Sequence, residues 1–205
     1  MQHIILAVVL FATSSAQAAL VTFDDFPSTP HEVFPNYLVS TPQGFDFAIL
    51  GAMPGDPAHI YTLDGTLRLI GQEQNPELRV TQEDGSLFNL SSLDLFVTQY
   101  PDGRPPAAYG PYRISALDAS DQLLAELEIY GAESGAWQTI LFDDSWHSIN
   151  SLVITPSQTE IGFGTTLTGD MTLDNFAMTA VPIPAAVWMF ASGLGLLGWL
   201  KRKQA

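Results

Sequence analysis

Leu78 to Thr98 read LRVTQEDGSLFNLSSLDLFVT, and this stretch decides the fold class. From Ser92 to Thr98 the residues alternate, with Leu93, Leu95 and Val97 on one face and Asp94, Phe96 and Thr98 on the other. That period of two belongs to a half-buried strand. Upstream, Asp84-Gly85 separates Leu78–Glu83 from Ser86–Leu90, and Asp-Gly between apolar runs predicts a two-residue hairpin. Working outward, Asp64-Gly65 predicts a second hairpin between Tyr61–Leu63 and Thr66–Ile70. Leu123 to Tyr130 alternates again, placing Ala125, Leu127 and Ile129 inward and Glu126 and Glu128 outward. Asp118 to Asp121, rich in turn formers, joins that strand to Arg113–Leu117. Trp137–Phe142, Leu152–Thr155 and Met171–Thr179 supply closing strands. No stretch before residue 181 sustains a capped helical period over three turns. The expectation is an all-β domain, an antiparallel β-sandwich or jelly roll.

That domain spans residues 19–180, about 160 residues and enough for one core. All twenty-two acidic residues lie within it, against only Arg68, Arg79, Arg104 and Arg113. A surface this anionic repels phosphates, so nucleic acid is excluded as a partner. Cysteine is absent, which removes disulfides, thiol nucleophiles and thiolate metal sites. An exported domain without bridges fits a bacterial envelope better than a disulfide-dense secretory module.

The two ends carry the address. Residues 1–18 hold a short apolar run, Ile4 to Ala12, followed by Ala16-Gln17-Ala18, the small-x-small pattern of a signal-peptide cleavage site. From Ala185 to Leu200 no residue is charged, roughly 24 Å of helix at about 1.5 Å per residue. Counted from Val181, the run reaches across a hydrocarbon core of about 30 Å. Lys201, Arg202 and Lys203 then form a basic stop of the kind found on the cytoplasmic side. A transmembrane helix is therefore expected in residues 181–205.

Val181-Pro182-Ile183-Pro184, the Gly/Leu-rich run behind it and the terminal basic cluster together resemble the PEP-CTERM sorting signal of Gram-negative bacteria, in its VPLPA variant. The commonest form has Glu where Ile183 stands. The resemblance implies export, transient residence in the inner membrane, and cleavage near Val181–Pro184 by an exosortase as processing partner. It also implies a final place at the outer surface or in the extracellular matrix, in association with extracellular polysaccharide. Pro182 and Pro184 keep the motif extended, since neither proline fits inside a helix. In the body, Phe23-Asp24-Asp25-Phe26, Gly44-Phe45-Asp46-Phe47, Phe88-Asn89-Leu90-Ser91-Ser92-Leu93, Trp137-Gln138-Thr139-Ile140 and Leu173-Asp174-Asn175-Phe176 resemble, in that order, bacterial jelly-roll domains similar to carbohydrate-binding modules. Such domains pair their first and last strands.

That pairing would carry Asp24 or Asp25 toward Asp174 and Asn175, oxygen donors of the kind calcium prefers. In an unbroken strand Asp174 would share a face with Phe176 and Met178 and need a partner there. Tyr100, Tyr109 and Tyr112 flank a Pro/Gly-rich loop, and Trp137 and Trp146 border later strands. Exposed, such rings stack on the apolar faces of sugars, which makes these five the candidate glycan contacts. Catalysis is not expected. Glu126 and Glu128 lack the Glu-x-Asp-x-x-Glu pattern of jelly-roll hydrolases and read as a solvated strand face. The histidines lack zinc spacing, and no Gly-x-Ser-x-Gly elbow is present. Gly193-x-Gly195-x-x-Gly198 has no preceding strand and reads as helix packing.

Overall fold

A computed structural model describes residues 18–26, 38–50, 59–70, 77–97, 111–132, 136–155, 158–162, 165–168, 171–181, 190, 192–195, 199 and 202. Gln17–Val181 form one compact unit, an antiparallel β-sandwich. Its strands are β1 (Ala18–Val21), β2 (Leu38–Ser40), β3 (Phe45–Leu50), β4 (His59–Leu63), β5 (Thr66–Ile70), β6 (Glu77–Gln82) and β7 (Phe88–Val97). They continue with β8 (Tyr112–Leu117), β9 (Leu123–Ile129), β10 (Gln138–Leu141), β11 (Ser151–Thr155), β12 (Gln158–Gly162), β13 (Thr165–Thr168) and β14 (Met171–Ala180). The front sheet runs β10-β7-β14-β5-β4, with β1 also paired to β14; the back sheet runs β2-β3-β6-β11-β8-β9. β12 and β13 form a separate hairpin.

The alternation behaves as read as far as Val97: Leu93, Leu95 and Val97 are buried, and Asp94 and Phe96 lie on the outer face of the front sheet, while Thr98 lies outside the described residues. Facing them across the core, the back sheet contributes Phe45, Phe47, Leu78, Val80, Ile114, Leu152 and Ile154. Phe23, Phe47 and Phe176 meet edge to face at its centre, Phe47 lying 5.1 Å from Phe176 and 5.2 Å from Phe23. Such pairs contribute about 0.5–1.5 kcal/mol each beyond the area they bury.

The two predicted Asp-Gly hairpins part company. Asp64 and Gly65, both at positive φ, close β4 onto β5 with Leu63 opposite Thr66. Asp84-Gly85 closes a four-residue turn through a 3.0 Å bond from the Gly85 N–H to the Gln82 carbonyl, and the chain then leaves the back sheet for the front one. No hairpin forms there because β6 is a central strand, with β3 on one edge and β11 on the other, so β7 has no edge to join. The Asp118–Asp121 turn does join β8 to β9, and Asp118 accepts the N–H groups of Ser120 and Gln122.

First and last strands pair as the resemblance implied, Ala18 opposite Thr179 through Val21 opposite Phe176. One edge of β14 is filled by β7; the other is shared by β5, at 171–173, and β1, at 176–179. Where the partner changes, β14 bulges. Asp174 faces Asp94 and the next pair is Ala177 with Ser92, so β14 carries one extra residue, with Asn175 at φ 51°. The bulge corrects the expectation for Asp174. It resets the strand's phase, so Leu173, Phe176 and Met178 are buried while Asp174 stands on the outer face.

Of the chain ends, the residues of the expected signal peptide before Ala18, Ala16 among them, lie outside the described residues. So do Pro182, Ile183 and Pro184 of the expected sorting motif, and Lys201 and Lys203 of the expected basic stop. Phe190, residues 192–195, Trp199 and Arg202 are helical. Among the described residues no helix is long and apolar enough to cross a membrane.

Candidate functional site

The outer face of the front sheet gathers the most suggestive side chains. β7 presents Asp94 and Phe96; β10, its edge neighbour, brings Thr139 opposite Asp94. Trp137, just before β10, sets its ring 5.7 Å from that of Phe96, tilted by 43°. Trp137 is 47% exposed, so one aromatic surface remains open to solvent. Below it, both oxygens of Asp94 are engaged: the Thr139 hydroxyl donates to Oδ1 at 2.6 Å and the Asn175 amide donates to Oδ2 at 2.8 Å. Asn175 reaches Asp94 because the bulge turns it to a left-handed backbone conformation, which asparagine tolerates better than most residues. An open indole beside a clamped carboxylate, a hydroxyl and an amide combines a stacking surface with fixed hydrogen-bonding groups.

Asp174 adjoins this group at the split in the sheet. It accepts from the backbone N–H groups of Asn175 and Phe23, while its Oδ1 is buried with no hydrogen-bond partner among the described residues. Burial is the main reason its carboxyl titrates above the ordinary range; Asp24 and Asp94, both acidic, push the same way. Asp24 is held where β1 ends, against the β4–β5 turn: a Cβ placed on Gly65 would collide with Asp24 Oδ1.

The calcium expectation meets this geometry in part. Asp24 and Asp174 are brought within electrostatic range, but Asn175 is committed to Asp94 and Asp25 is exposed in the turn after β1. Among the described residues no three carboxylates or histidines form a group that could hold a metal ion.

The aromatic expectations divide. Tyr112 is 0% exposed and Trp146 is 5% exposed, packed 4.5 Å from Phe142; both are core residues and offer no ring to a ligand, a correction caused by their inward positions on β8 and on the Asp144–Trp146 turn. Tyr100 and Tyr109 lie outside the described residues. Trp137 alone of the five is seen with an open face. Asp94, Phe96 and Thr139 were not singled out from sequence. The alternation at 92–98 places Asp94 and Phe96 outward, but their meeting with Trp137 depends on the β7–β10 register, which no local signal encodes.

Arg113 lies 3.5 Å from Glu126 and 3.4 Å from Glu128, and Ser115 donates to Glu126, so this carboxylate pair belongs to a solvated strand face, as read. Asp143 caps the short 3-10 turn through the Ser145 hydroxyl and N–H, and those bonds hold its carboxyl below the usual range. Ser86 does the same for Asp84. Val181 donates to the Leu87 carbonyl at 2.8 Å, so the residue that opens the Val181–Pro184 stretch is tied to the sandwich. A cleft of about 560 Å³ beside Ala18 and Ala180 is lined by Gln43 and Gln82; its one aromatic ring, Phe45, is buried.

No protein-family model matches the chain, and no curated protein matches it. Among solved structures, a DUF4465 family protein from Bacteroides caccae is similar with a TM-score of 0.51 at 10% identity, over 82% of this chain and all of that one, 100%. This likeness shows the fold. A mutant of a family 29 carbohydrate-binding module gives a TM-score of 0.46 at 11% identity, covering 82% of this chain and 92% of its own. The lectin domain of Lectinolysin, solved with Lewis B antigen, gives 0.36 at 13% identity, over 58% and 72% of the two chains.

Proposed function

We propose that the sandwich is a non-catalytic carbohydrate-binding domain, exported by a Gram-negative bacterium and displayed in its extracellular matrix. One observation carries the binding half: an open Trp137 ring, backed by Phe96, beside Asp94 held by Thr139 and Asn175. Sugar recognition needs this combination. The apolar face of a pyranose buries area against an aromatic ring at little entropic cost, and its hydroxyls bond to polar groups that are already fixed. Asp94 and the Asn175 carbonyl supply acceptors, and the Thr139 oxygen adds further capacity. The test is retardation of the full-length protein in gels containing polysaccharides, compared with Trp137→Ala. Loss of retardation in a variant that melts like the parent supports the reading. Unchanged retardation refutes this face as the site.

The address half rests on the sequence of the two ends. The leader up to Ala18 directs export, and the tail from Val181 holds the protein in the inner membrane until an exosortase cuts at the proline motif. The bond from Val181 to Leu87 bears on where cutting occurs, because a residue paired to the sandwich is poorly accessible. The mass of the mature C-terminus, in cells with and without the exosortase, tests this. A full-length membrane protein in both strains overturns it.

A further inference from the structure

Resting on that reading, we infer that the ligand of the Trp137–Asp94 face is an uncharged polysaccharide, and that acidic polymers bearing uronate, sulfate or phosphate are rejected there. The sheet register places the relevant charges. On β14 and β7, Asp174 lies directly opposite Asp94, and Asp94 lies opposite Thr139. The charges acting on Asp174 are those of Asp24 and Asp94, both negative. Asp94 spends one oxygen on a neutral hydroxyl and the other on a neutral amide, so its charge is oriented but not cancelled.

The adjacent row across the same face runs Trp137, Phe96, Thr172 and Arg68. Among the described residues Arg68 is thus the cation of this face, but it stands on β5, two strands from β7. At about 4.8 Å per strand its backbone lies roughly 10 Å from that of Phe96. A sugar stacked on Trp137 meets Asp94 first. Its hydroxyls are donors that a carboxylate accepts, whereas a carboxylate on the same sugar would face Asp94 and Asp174 with no cation at equal distance among the described residues. The whole molecule, at a formal charge of −15, repels the same ligands before they arrive.

The experiment pairs polymers that share a backbone and differ in charge: hydroxyethylcellulose with carboxymethylcellulose, and neutral galactomannan and laminarin with alginate. Full-length protein, its Trp137→Ala variant and its Asp94→Asn variant are run in affinity gels at low and at about 0.5 M salt. The expected result is retardation by at least one neutral polymer, abolished in Trp137→Ala, with at least about tenfold weaker retardation by the acidic ones at low salt. High salt should narrow the difference by screening, as should Asp94→Asn if that variant still binds. Should Asp94→Asn lose all binding, the salt series alone decides. Equal retardation by matched neutral and acidic polymers, or retardation by acidic polymers alone, overturns the inference while leaving a carbohydrate-binding domain. Retardation by none, with Trp137→Ala indistinguishable from the parent, overturns the underlying reading as well.

Discussion

The outer faces of the two sheets treat carboxylates differently. On the back sheet Glu126 and Glu128 lie beside Arg113, and Asp121 is 3.1 Å from Arg79. On the front sheet Asp94 and Asp174 stand opposite each other, bonded to neutral groups, with Asp24 nearby and the exposed Trp137 on the adjoining row. An ion-paired face needs no ligand to be at ease in water. A face that keeps like charges together and leaves a large ring open carries a cost to stability, and such local conflicts concentrate at functional surfaces. The greatest separation of the two faces is expected from Trp137→Ala. It should remove glycan binding altogether with little change in melting temperature, whereas truncating Leu123 on β9, an exposed residue of the back sheet, should leave binding untouched.

The next largest effect concerns how the front face is built. Gly65 and Gly85 both follow an aspartate and both sit at positive φ, 75° and 72°. Around Gly85 an added Cβ meets open space; at Gly65 it meets Asp24. Gly85→Ala should therefore cost only the left-handed backbone penalty, about 1–2 kcal/mol. Gly65→Ala should add a packing penalty and cost about 2–4 kcal/mol in all, while displacing Asp24 from the front sheet. Denaturant midpoints of the two variants measure the difference, and equal costs would show that Asp24 moves aside freely.

These two turns also mark what the sequence can disclose. Asp-Gly specified the backbone geometry at both places, because glycine is the residue that accepts positive φ without strain. It did not specify the partner. Whether the strand after the turn folds back or crosses to the other sheet depends on which edges of β6 are already taken, and β3 and β11 come from far along the chain in either direction. The inward and outward faces of β7 and β9 were readable from alternation alone. The bulge in β14 was not, since it arises where β5 and β1 meet along one edge, and with it went the true facing of Asp174. The candidate site shares this dependence. Trp137 stood out by type, but Asp94, Phe96, Thr139 and Asn175 become a site only through register.

A smaller effect should follow from Asp174→Asn. A carboxyl whose folded-state titration lies above its unfolded value near 3.8 favours the folded protein only while protonated. Its contribution is present at low pH and is lost as pH rises from that value through the raised one, so at neutral pH the ionised group is a burden. Asparagine removes the charge, keeps one acceptor for the N–H groups of Phe23 and Asn175, and turns a donor toward the neighbouring carboxylates. The melting temperature at pH 7 should rise by about 1–3 °C, with no gain at pH 3.5. If millimolar calcium raises the melting temperature of the parent and not of the variant, an ion relieves Asp174 after all. No rise from either treatment would mean that the front face carries no electrostatic strain.

The smallest effect is expected on the back sheet. Arg113 is half-exposed, and so are its two partners, at 3.4 and 3.5 Å. Ion pairs of this kind are worth about 0–1 kcal/mol, because water and salt screen them and the long side chains lose entropy in forming them. Arg113→Ala also leaves Glu126 and Glu128 side by side on one face of β9, a repulsion that adds to the lost attraction at low salt. The expected cost is about 0.5–1 kcal/mol by urea denaturation, shrinking as sodium chloride is raised, with glycan binding unchanged. A cost above about 2 kcal/mol that salt does not reduce would place the guanidinium in packing rather than in charge compensation. The back face would then owe its stability to coverage of β9, and the contrast with the front face would rest on the exposed ring alone.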